Sequence, residues 1–87
     1  MSRFIRIKSP AELLDAIALK PVRFFILLNY GAESSKRIGY DRRRRVFKIR
    51  NQIDGSRQEL TSAQLMGSKR SNIGPAMRGG AFYAEVA

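Results

Sequence analysis

The chain has no cysteine and no histidine. Without cysteine there are no disulfides, so the fold rests on its core alone. Without either residue, thiolate and imidazole metal sites are excluded, and with them zinc fingers, ribbons and knuckles. Nucleophilic catalysis by Ser–His or Cys–His pairs falls on the same ground. Long apolar runs are missing too. The longest, Phe24-Phe25-Ile26-Leu27-Leu28, is far short of the roughly 20 residues a spanning helix needs. The basic N-terminus (Arg3, Arg6, Lys8) has no apolar stretch behind it and does not read as a signal peptide. The absence of cysteine fits the cytoplasm, and no membrane contact is expected.

Acid is the scarcest charge. Seven Asp and Glu stand against seventeen Lys and Arg among 87 residues, a net charge of +10. A chain this short holds one domain, here residues 1–87. A small domain this basic implies an anionic partner: a nucleic acid (DNA or RNA) or an acidic protein surface.

The pattern predicts an α+β fold in the order β-α-β-β-β-(β)-α-α-β, a single small domain with a mostly antiparallel sheet and helices on one face. Residues 3–8 read as a short strand. Ser9-Pro10-Ala11-Glu12 carries an N-cap, a proline at the first helical position and a Glu three residues after the cap, opening a helix over 10–19. Its expected core face is Leu13, Leu14, Ile17 and Ala18. Residues 22–30 are apolar on both alternate faces between 24 and 28, the mark of a central strand covered on both sides, or covered on one side and buried by a partner on the other. Strands at 36–41 and 45–53 enclose an arginine-rich tip, Asp54-Gly55 turns the chain, and residues 56–60 return. Thr61-Ser62-Ala63-Gln64 is a second capping box. Asn72 caps a third helical segment that Gly79 or Gly80 ends, and residues 81–86 form the last strand. Met66 and Met77 are expected in the core.

The strongest chemical signal lies between 36 and 50. Lys36, Arg37, Arg42, Arg43, Arg44, Arg45, Lys48 and Arg50 face one acid, Asp41, so eight minus one gives seven of the ten net positive charges. With Phe47 and Ile49 inward, Arg44, Lys48 and Arg50 share the other face with Val46. Guanidinium groups bind phosphate in a planar, bidentate way that lysine does not. The competing reading is a solvated, aggregation-blocking edge. Four consecutive arginines repel one another, however, and a partner would relieve that repulsion. Tyr40, at the same hairpin, is a candidate to stack on a base, although its alternation points it inward. Lys69 and Arg70, ahead of Asn72, are a secondary phosphate candidate, set against an ordinary loop and cap. The carboxylates are scattered and no pair forms an acid/base dyad, so no enzyme is expected, and no metal or other cofactor.

Phe24-Phe25-Ile26-Leu27-Leu28-Asn29, Ser34-Ser35-Lys36-Arg37-Ile38 with Tyr40-Asp41, Ile53-Asp54-Gly55-Ser56, Gln58-Glu59-Leu60-Thr61, and Ser71-Asn72-Ile73-Gly74 leading to Gly80-Ala81 together resemble short proteins encoded in phage and prophage genomes. The resemblance covers about two thirds of the chain. It implies a small phage-type protein that handles nucleic acid or inhibits a host protein. The run Arg42–Arg45 is outside it. The leading expectation is a binding module that contacts nucleic-acid phosphates through the Arg-rich hairpin. The alternative is a protein-binding module using the same hairpin.

Overall fold

Ser9 does what its position requires: its Oγ accepts a hydrogen bond from the Glu12 amide, 3.2 Å, and Pro10 opens the helix α1 (Pro10–Ala18). The computed structural model describes residues 2–29, 31–67 and 73–87. Around α1 lie β1 (Arg3–Arg6), β2 (Arg23–Ile26), β3 (Lys36–Asp41), β4 (Val46–Asn51) and β5 (Arg57–Leu60). They are followed by α2 (Ser62–Gly67), α3 (Ile73–Arg78) and β6 (Phe82–Val86). The six strands make one antiparallel sheet in the order β1-β6-β2-β3-β4-β5. The fold is therefore the α+β domain that the pattern predicts.

Alternation along each strand separates two faces. On the inner face Phe24, Ile26, Ile38, Phe47, Ile49, Phe82 and Ala84 form one cluster with Leu13 and Ala16 of α1, Leu65 of α2, and Ile73 and Met77 of α3. Phe24 is its centre, stacked on Phe82 at 5.6 Å and edge-on to Phe47 at 5.3 Å. Met77 is buried and Met66 packs against the cluster from its margin. The capping box of α2 is reciprocal: the Gln64 amide donates to Thr61 Oγ1 and the Thr61 amide to Gln64 Oε1. The two last helices meet at Gly74, where a Cβ would stand 2.7 Å from the Met66 carbonyl oxygen. Gly80, at φ +75°, ends α3.

Several boundaries and one helix face differ from the sequence reading. Leu14 is 61% exposed, whereas Leu13 is 1% exposed; the inward stripe is Leu13 and Ala16, with Ile17 half-buried beside them. Leu14 is rotated away from the cluster that Leu13 and Ala16 join. Ala18 is exposed as well. The strand expected over 22–30 is shorter. Val22 is exposed, and beyond Leu27 the chain turns, with the Leu28 amide donating to Ala32 O and the Gly31 amide to Leu28 O. The first strand stops at Arg6, and β4 begins at Val46 because Arg45 adopts φ +57°. Ile53 belongs to the second turn, where its amide donates to Asn51 Oδ1. The expected cap at Asn72 lies outside the described residues.

Candidate nucleic-acid interface

The β3–β4 connection is organised by its single acid. Asp41 Oδ1 accepts the backbone amides of Arg43, at 3.0 Å, and Arg44, at 3.1 Å. The Arg44 and Arg43 amides, with Lys48 3.7 Å away, hold the Asp41 carboxyl below its ordinary range. An Asx turn of this kind fixes a tight loop through the side chain.

The four tip arginines do not form one common surface. Arg42 Nη1 donates to the Ile17 carbonyl, 2.6 Å, at the C-terminal end of α1, where a cation meets the negative end of the helix dipole. Arg44 grips Glu59 with two parallel bonds of 2.9 Å, which keeps Glu59 below its ordinary range. Only Arg43 and Arg45 are exposed with no side-chain partner among the described residues. The tip expected to act as a unit thus spends two of its guanidinium groups on the fold. Arg44 lies in the turn, outside β4. Its side chain reaches the outer face but is neutralised there. Tyr40 points inward, 4.8 Å from Phe47, and is no stacking surface. Lys69 and Arg70 lie outside the described residues.

The outer face of β3, β4 and β5 carries the unmatched charge. Arg37 stands directly opposite Arg50, and Arg50 directly opposite Arg57, three arginines in one cross-strand row. All three are exposed, and among the described residues none has an acidic partner. One row away Gly39 is opposite Lys48, and Lys48 opposite Glu59. Arg57 is absent from the sequence-predicted set because it lies beyond the 36–50 window. Only the β4–β5 register carries it into the row, and alternation across Asp54-Gly55 is the signal that could have found it.

Between Gly39 and the β2 end of the face lies an open depression of about 660 Å³, bordered by Arg23, Glu33, Arg37, Lys48 and Arg50. Gly39 leaves its floor vacant: a Cβ there would meet nothing within 4 Å. Lys36 also borders it, and partial burial lowers the affinity of that amine for its proton.

Across β1, β6 and β2 the same face is self-satisfied. Arg23 Nη2 donates to Glu33 at 2.7 Å and its Nε to Glu85 at 2.8 Å, raising the Arg23 pKa, and its guanidinium lies 4.5 Å from the Phe25 ring centre. Phe25 stacks on Tyr83 at 5.5 Å and meets Phe4 edge-on at 5.2 Å. Arg6 covers Tyr83 and its Nε donates to the phenol oxygen at 3.0 Å. This explains the double-sided apolar character of residues 24–26: Phe24 and Ile26 face the helices, and Phe25 is covered by this aromatic and cationic lid.

No family model, curated protein or solved structure matches the chain. Among the described residues no helix is long and apolar enough to cross a membrane.

Proposed function

We propose that this protein binds nucleic acid by its phosphate backbone, on the outer face of the β3–β4–β5 meander. The observation that carries this reading is the row Arg37–Arg50–Arg57, three directly opposed cations without an acidic partner among the described residues. Like charges directly opposite one another destabilise a sheet by roughly 0.2–1 kcal/mol per pair, and a polyanion laid across the row reverses the sign of that contribution. Arg43 and Arg45 at the tip extend the field, while Arg42 and Arg44 hold the scaffold. The surface chemistry favours nucleic acid over a protein partner. Among the outward positions of the three strands only Val46 is apolar, whereas protein-binding surfaces centre on an apolar patch.

The test is fluorescence anisotropy with labelled duplex DNA, single-stranded DNA and RNA across a salt series. Binding should weaken with salt, with a log–log slope near −0.9 per duplex phosphate neutralised or about −0.7 per single-strand phosphate. Replacing Arg37, Arg50 and Arg57 together by Gln should flatten that slope and weaken all sequences alike, because phosphate contacts carry no base information. Absence of binding to any nucleic acid at low salt would refute the reading. A protein partner with the same arginine dependence would establish the inhibitor alternative instead.

A further inference from the structure

Four outward positions of β3 and β4 form a square: Arg37 opposite Arg50, Gly39 opposite Lys48. Three corners are cationic and the fourth has no side chain. The missing side chain is not a packing necessity, because a Cβ at Gly39 would meet nothing within 4 Å and its backbone is not in the left-handed region. Glycine weakens a strand interior, and one found there often marks the close approach of a ligand. Here it leaves the depression of about 660 Å³ open beside the three cations. The only acid on the border, Glu33, is engaged by Arg23 at 2.7 Å. Lys48 makes a long 3.7 Å contact with Asp41 and stands opposite Glu59, which Arg44 already holds with two bonds of 2.9 Å.

We propose that the depression over Gly39 is a seat for one phosphate group, held by Arg37, Lys48 and Arg50. This rests on the nucleic-acid reading for the source of the phosphate, which would be a single phosphodiester of the bound strand. The seat would then fix the position of the strand on the face, while the remaining arginines act through the general field. Two guanidinium forks and an ammonium border an open floor, a donor set suited to the several oxygens of a phosphate.

The experiment is an amide NMR titration with inorganic phosphate, with chloride at matched ionic strength as the control, followed by anisotropy with labelled single-stranded DNA. The expected result is saturable shifts confined to residues 37–39 and 48–50. Gly39→Phe, which fills the floor, should abolish them while leaving the rest of the spectrum in place. The graded variant Gly39→Ser should weaken phosphate, and Arg50→Gln should weaken it about tenfold or more, the loss of one charge-assisted hydrogen bond. Shifts that do not saturate and spread equally to Arg43 and Arg45, or an unchanged phosphate titration in Gly39→Phe, would overturn the seat. DNA bound equally well by Gly39→Phe and the unmodified protein would overturn it too, with the nucleic-acid reading left standing. Saturable phosphate binding in a protein that binds no nucleic acid would support the seat and refute that reading.

Discussion

The outer face of the sheet is two surfaces built to opposite rules. Over β1, β6 and β2, the cations on this face have partners within the molecule: Arg23 has Glu33, Glu85 and the Phe25 ring, and Arg6 has Tyr83. Over β3, β4 and β5, three arginines are set against one another and a glycine opens a depression beside them. Both halves are antiparallel strands of one sheet. The difference is whether the outward arginines already have partners within the molecule or are left for something else. It teaches that net charge is a poor locator of a binding surface: Arg42, Arg44 and Arg23 carry the same charge as Arg37, Arg50 and Arg57, yet their guanidinium groups already have hydrogen-bond partners within the molecule.

The largest effect belongs to the matched half. Phe25→Ala removes the ring shared by Phe4, Tyr83 and Arg23 and should cost about 3–5 kcal/mol in chemical denaturation. An unchanged midpoint would mean that this half is not a structural lid. A smaller change of opposite sign is expected in the other half. Arg50→Gln relieves two like-charge oppositions, with Arg37 and Arg57, and should raise stability by a few tenths of a kcal/mol up to about 1 kcal/mol at low salt. That gain should shrink as salt screens the charges. The same substitution weakens nucleic acid, so stability and binding move in opposite directions. A loss of stability at Arg50 would erase the contrast between the halves.

Acid gives the mildest separation. Asp41 and Glu59 both titrate below their ordinary range in the folded protein, Asp41 chiefly through the Arg44 amide and Glu59 through the Arg44 guanidinium. For groups shifted in this direction the stabilisation is complete above the unfolded pKa and disappears as the pH falls through the folded one. Thermal melts should therefore vary little with these two groups at neutral pH and fall only below the ordinary carboxylate range. Asp41→Asn and Glu59→Gln should each flatten that acid slope.

Local chemistry was readable from the residues in order. Ser9 and Glu12, Thr61 and Gln64, and the strand alternation around Phe47 and Ile49 all act within a few positions, and the structure places them as expected. Contacts set by tertiary register were not readable. Arg42 finds a carbonyl 25 residues earlier and Arg44 a carboxylate 15 residues later. Arg57 joins its row only through pairing with β4. Leu14 failed for a related reason: both Leu13 and Leu14 are apolar, and the choice between them depends on which side of α1 the tertiary fold turns toward the core.

The strand order has a kinetic consequence. β6 lies between β1 and β2, pairing Arg3–Arg6 with residues 83–86, almost the full length of the sequence apart. Short turns join β3, β4 and β5, so the arginine-bearing meander closes only small loops, whereas the other half must close a very long one before any contact rewards it. The binding half can therefore assemble first, and the half that confers stability last. Until β6 docks, one edge of β2, bearing Phe24, Phe25 and Ile26, has no neighbour to pair with, which concentrates the aggregation hazard of folding at that edge.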